Sequence, residues 1–209
     1  MHLRLIRFLA KPVVFALALL PVLALAAGAV RGTLGANPLE AVTHGTGDWT
    51  LRFLLLTLAV TPLRALSGWN AVIRFRRMLG LFAFFYGSLH LLTYVWFDQF
   101  FSWSEILRDI PKRPFITVGF TAFVLLVPLA ATSTAGMIRR LGGRNWRMLH
   151  RVVYLAAAAG VVHYWWLVKA DVSRPRLYAA TLAALLAARV WIAVRPTSPR
   201  SRLSTAATR

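Results

Sequence analysis

Cysteine is absent from the 209 residues, and that absence removes disulfides, thiolate haem ligands, iron–sulfur clusters and cysteine zinc sites together. Acidic residues are almost as scarce, six against 25 Lys and Arg, for a formal charge of +19. All six (Glu40, Asp48, Asp98, Glu105, Asp109 and Asp171) fall between the apolar runs, and a chain with no carboxylate inside a span is a poor proton pathway. No G-x-G-x-x-G follows a strand pattern, no P-loop is present and no internal repeat is evident, so the chain carries no nucleotide-binding domain of its own. Histidine is the one strong metal ligand left.

What the chain has in abundance is apolar sequence, 58% of its residues, too much for a soluble domain and suited to a polytopic membrane protein. The basic residues flank the apolar runs instead of forming one basic face, which argues for a lipid bilayer and against nucleic acid as partner. Six runs have the length to cross: about 12–30, 49–66, 79–96, 115–132, 149–168 and 177–194. The first, with its small residues 24–29, resembles a secretory signal, but its length and the further membrane segments behind it favour an uncleaved span. Pro62 and Pro128 lie inside spans, where kinks are tolerated if neighbours satisfy the freed carbonyls.

The expected fold is therefore an all-α, six-transmembrane-helix bundle forming one domain over 1–194, with a short, polar, disordered tail at 195–209. An even number of spans puts both termini on one side. That side collects Arg4, Arg7, Arg64, Arg74, Arg76, Arg77, Arg139, Arg140, Arg144, Arg147, Arg151 and the tail arginines, so the N- and C-termini are expected in the cytoplasm. The acidic loops then face the periplasm or exterior.

An ionisable side chain within a span is a functional candidate by default. His150 and His163 lie thirteen residues apart on one span, roughly 20 Å at about 1.5 Å per residue. His90 lies on the 79–96 run. It shares a helical face with Gly80, Ala83 and Gly87, and His163 shares one with Ala156, Ala159 and Gly160. Small residues beside a histidine leave room for a flat macrocycle, although they also suit close helix packing around a hydrogen-bonded imidazole. His90 and His163 match in depth on two spans of the same direction, as the axial pair of a six-coordinate b-type haem would.

His150 sits at the opposite level, near Arg76 and Arg77, without a second histidine. It reads either as the ligand of a second haem or as an interfacial histidine among arginines that bind lipid headgroups. The arginine-rich segment containing Arg147 could bind a phosphate-bearing cofactor or serve topology alone. His44 reads as a loop histidine and His2 carries no inference. Trp96, Trp103, Trp165 and Trp166 read as an interfacial aromatic belt.

The stretches RRMLGLFAFFYGSLHLLTYVWFD (76–98), KRPFITVGF (112–120) and PLAATSTAGMIRRLGGRNWRMLHRVVYLAAAAGVVHYWWLVK (128–169) resemble the MsrQ (YedZ) family. That family comprises haem-binding membrane subunits of bacterial methionine sulfoxide reductase systems, within the ferric-reductase-like transmembrane superfamily. The resemblance implies a bacterial inner-membrane cytochrome that takes electrons from membrane quinones and passes them through haem b. The receiver would be an MsrP-like periplasmic molybdopterin subunit in a heterodimer, which reduces methionine sulfoxide in oxidised proteins. It implies His90, His150 and His163 as ligand positions, and FMN as a further cofactor, for which the inner arginines Arg76, Arg77 and Arg147 offer a place. Arg76 and Arg77 stand where related oxidases have another histidine. The rival readings are a haem-dependent ferric or metal reductase and a histidine-containing transporter.

Overall fold

The computed structural model describes residues 2–195, with side chains from residue 10 onward. The 196–209 part of the tail lies outside the described residues, and with it the expectation of disorder. Every regular element described is helical: α1 His2–Arg31, α2 Pro38–Ser67, α3 Arg76–Thr93, α4 Trp103–Lys112, α5 Pro114–Ala131, α6 Ala135–Leu141, α7 Gly143–Leu149, α8 Val153–Leu167 and α9 Ser173–Val194. Short 3-10 turns (Asn70–Phe75 and His150–Val152) lead into α3 and α8, and a π turn, Tyr94–Asp98, extends α3.

Among the described residues, five stretches are long and apolar enough to cross a membrane: Ala10–Arg31, Pro38–Ser67, Asn70–Asp98, Pro114–Ala131 and Ser173–Val194. The chain is a multi-pass, all-α membrane protein. The remaining expected span, 149–168, consists of the His150–Val152 turn and the 15-residue α8, whose α-helical part rises about 22 Å.

The bundle is built around α2, which packs against α1, α3, α8 and α9, while α5 packs against α3 and α8. Leu51, Phe53, Leu54, Leu55 and Leu58 of α2 are buried against Phe82, Ala83 and Tyr86 of α3, Leu126 and Leu129 of α5, and Ala156, Ala157 and Val161 of α8. Tyr86 ties α1 to this core. Its hydroxyl donates to Ala18 O at 2.8 Å and accepts from Val22 N–H at 3.1 Å, so it is inserted between a carbonyl and an amide one turn apart.

The second expected span starts at Pro38, not near Trp49. Asn37 caps it by accepting the Glu40 N–H at 3.2 Å, and Pro38 occupies the first turn, where no N–H is needed. Hydropathy marks where a helix crosses hydrocarbon, while caps mark where it begins. His44, expected in a loop, is consequently an exposed helical residue 4.0 Å from Glu40. The loop expected at 97–114 contains the short helix α4, reached through Phe100 (φ 45°) and Phe101 (φ 59°) in the left-handed region. The basic loop before His150 folds as α6 and α7, joined at Gly142 (φ 75°).

Candidate metal centre

His90 on α3 and His163 on α8 face each other, their ring centres 6.0 Å apart and their planes inclined at 71°. Each Nδ1 lies against a main-chain carbonyl: His90 on Thr43 O at 2.9 Å and His163 on Phe115 O at 2.7 Å. A carbonyl oxygen only accepts, so both Nδ1 atoms carry the proton and both Nε2 atoms keep a lone pair. That is the tautomer of a metal-ligating histidine, oriented by a hydrogen bond from its other nitrogen.

The same device holds each ring. In an α-helix the carbonyl of residue i already accepts the N–H of residue i+4, so the imidazole is a second donor approaching beside residue i+4. In both helices that residue is glycine: Gly47 four after Thr43 on α2, and Gly119 four after Phe115 on α5. A Cβ at position 47 would stand 3.1 Å from His90 Cε1, and one at 119 would stand 2.6 Å from His163 Nδ1. These two glycines are slots for imidazoles.

Two metal–imidazole bonds of about 2 Å, with about 1 Å more from each nitrogen to its ring centre, place ring centres about 6 Å apart. The observed 6.0 Å agrees. Among the described residues no three His, Asp or Glu side chains gather to hold a metal ion, so the protein would offer an ion placed here these two imidazoles alone. Around them is a cavity of about 430 Å³ walled by Leu51, Leu54, Phe123 and Leu126. Gly87, Ala156 and Gly160 line it as expected of small residues beside a macrocycle; Ala83 is fully buried, and Ala159 lines neither this cavity nor the second. An iron porphyrin fits this donor set and this apolar enclosure.

A second cavity of about 260 Å³ lies toward the other end of the bundle. Leu54 and Leu126 line both cavities and form the partition between them. Arg76, Arg77, Gly80, Trp146 and His150 line the second. His150 Nε2 lies 3.1 Å from Thr132 Oγ1, and that hydroxyl donates its own proton to Pro128 O at 2.6 Å, so the imidazole is the donor to Thr132. Trp146 stacks on His150 at 3.9 Å and donates its indole N–H to Thr132 O at 2.9 Å. Arg147 is not part of the lining; its guanidinium lies against Gly143.

The family model described as "Ferric reductase like transmembrane component" matches residues 46–161, more than half the chain. A protein of Herminiimonas arsenicoxydans named "Protein-methionine-sulfoxide reductase heme-binding subunit MsrQ" is 55% identical over 198 residues, covering 94% of this chain and 91% of that protein. The chain belongs to the MsrQ family. Members of the same name from Azospira oryzae (57% identical; 93% of this chain, 84% of that protein) and Rhodospirillum rubrum (56%; 90% of each) agree. No solved structure matches.

In this MsrQ-family chain the structure brings His90 to His163, and His150 to Arg76 and Arg77, while leaving Arg147 aside. Sequence reasoning passed over Gly47, Gly119, Thr132 and the carbonyls of Thr43 and Phe115. The signal available was a glycine in each of two helices near the level of a histidine on another. Carbonyls leave no trace in side-chain identity.

Proposed function

We propose that this chain is an inner-membrane cytochrome b that carries electrons from membrane quinones to an MsrP-like periplasmic molybdopterin subunit, its heterodimer partner. The observation that carries the reading is the His90/His163 pair with both Nδ1 atoms committed to carbonyls and both Nε2 atoms left for one metal. Haem b held by two neutral imidazoles supplies reversible one-electron transfer with no iron position open.

The residues around it orient and insulate. Thr43 and Phe115 fix the ring planes, and their hydrogen bonds raise the basicity of the Nε2 donors. Leu51, Leu54, Phe123 and Leu126 exclude water. The second cavity is the place for the electron donor: Arg76 and Arg77 offer guanidinium forks to quinone oxygens or to the phosphate of FMN, whose presence rests on the resemblance. His150 already gives its Nε2 proton to Thr132, so the reading assigns one haem to the chain and an orienting role to His150. Six crossings, with both termini in the cytoplasm, put the second cavity on the cytoplasmic side and the histidine pair toward the periplasm.

The test is a reduced-minus-oxidised absorption spectrum, with pyridine haemochrome quantification, on wild type and on single alanine variants. His90→Ala and His163→Ala are expected to lose the low-spin b-type signal, and His150→Ala to retain it. A folded, haem-supplied wild type that stays colourless returns the histidines to packing or transport. Replacing the 97–114 segment with an unrelated loop is expected to abolish delivery to the partner while preserving the spectrum. Reduction of chelated iron without any partner points instead to a metal reductase.

A further inference from the structure

The cavity around His90 and His163 is amphipathic along its length. Its depth is apolar, whereas its rim carries Asn37, Glu40, Asp48, Asp98, Arg113 and Arg174. Arg113 and Arg174 are the two guanidinium groups of this lining, and they come from different elements, one from the residue preceding α5 and the other from the first turn of α9.

Both are held by carboxylates that are themselves nearly covered. Arg113 Nε lies 2.9 Å from Asp109 Oδ1, and the Asp109 side chain is 14% exposed. The other oxygen of Asp109 accepts the Tyr94 hydroxyl at 2.9 Å, and Gln99 Nε2 lies 3.5 Å from it. Arg174 Nη1 lies 3.3 Å from Asp48 Oδ2, whose side chain is 13% exposed and which Arg52 also approaches at 3.6 Å. The arginines themselves stay open, 51% exposed at Arg113 and 70% at Arg174, whereas in the surface pair of Arg108 with Glu105 at 3.2 Å the carboxylate too is more than half exposed. The ion pair of Arg113 with Asp109 runs through Nε, and neither terminal nitrogen makes a hydrogen bond to a described residue. They remain as a fork for a second carboxylate at the cavity rim.

We infer that Arg113 and Arg174 anchor the two propionate carboxylates of the haem at the rim, one each. The inference rests on the haem reading above and adds which end of the ligand faces out. The chain segment that carries Arg113 also supplies the Phe115 carbonyl and the Gly119 slot for His163. On α2, Gly47 receives His90 and the next residue, Asp48, holds Arg174. Each imidazole slot is thus coupled through a few residues to one arginine.

The experiment titrates haem b, and separately its dimethyl ester, into full-length protein produced without haem, following the low-spin absorption band. Wild type is expected to bind the ester at least tenfold more weakly than haem b, because the ester offers no carboxylate to either guanidinium. Arg113→Gln and Arg174→Gln are each expected to weaken haem b roughly tenfold, the order of one charge-assisted contact, while barely changing the ester. Arg108→Gln is the control expected to change neither. Equal wild-type affinity for the two porphyrins overturns the inference without any variant having to fold. So does a loss in Arg113→Gln and Arg174→Gln that is the same for haem b and for the ester. A wild type that binds neither porphyrin overturns the haem reading itself.

Discussion

Glycine inside a helix ordinarily costs about 0.5–1 kcal/mol relative to alanine, so Gly→Ala in a helix is expected to stabilise wherever there is room. At Gly136 a new Cβ would meet only Thr134 Oγ1 at 3.9 Å. At Gly119 it would stand 2.6 Å from His163 Nδ1 and 3.0 Å from Cγ, so the ring must leave its carbonyl. The sterics outweigh the propensity there, and Gly119→Ala is expected to lose the low-spin haem signal while the helix content is kept. Gly47→Ala, with its nearest contact at 3.1 Å, is expected to shift the signal without abolishing it. Gly136→Ala is expected to leave the spectrum unchanged and the thermal midpoint equal or higher. A Gly119→Ala protein with the wild-type spectrum would show that His163 does not need the glycine to seat its ring.

At the scale of helices, Pro62 poses a problem that α9 solves. Proline has no N–H, so the Leu58 carbonyl, four residues earlier in α2, has no partner within its own helix. Arg189 Nη2 lies 2.6 Å from that oxygen, while Nη1 reaches the Tyr154 hydroxyl at 2.8 Å, so one guanidinium joins α2, α8 and α9. Arg189→Leu leaves the carbonyl buried without a partner, an expected cost of about 1–3 kcal/mol. Pro62→Ala restores the helical N–H, so Arg189→Leu is expected to cost clearly less in that background. Thermal unfolding of the four proteins in detergent measures the coupling, and strictly additive midpoints contradict it.

Pro62 and its need for an external donor were legible in the sequence, as were the helical class, five of the six apolar runs as long spanning helices, and the His90/His163 pairing by depth. Arg189 was not, because one arginine near the end of an apolar run also suits an interfacial anchor. The helices α4, α6 and α7 were hidden for a different reason: short helices outside the hydrocarbon are built from the polar and Gly-rich sequence that marks loops. Thr43 and Phe115 act through their main chains, and no side-chain pattern betrays that.

Over the whole molecule, two cavities lie in line with Leu54 and Leu126 between them, and the charges differ at the two ends. Asp48, Asp98 and Glu40 accompany Arg113 and Arg174 at the rim of the end with the histidine pair, whereas Arg76 and Arg77 line the other without any carboxylate, and α6 and α7, which carry Arg139, Arg140, Arg144 and Arg147, follow α5 at that end. Basic segments are retained on the cytoplasmic side during insertion, so the second cavity is expected to face the cytoplasm and the rim of the first the periplasm. The absence of cysteine makes this directly measurable, since any introduced thiol is the only one in the chain. Ser104 of α4 and Asn145 of α7 are both exposed, uncharged and on opposite sides of α5. In intact cells with a permeabilised outer membrane, Ser104→Cys is expected to react with a membrane-impermeant maleimide and Asn145→Cys to react only after the inner membrane is opened. The reverse pattern would invert the bundle, and a quinol donor at the second cavity would then have to deliver electrons toward the cytoplasm.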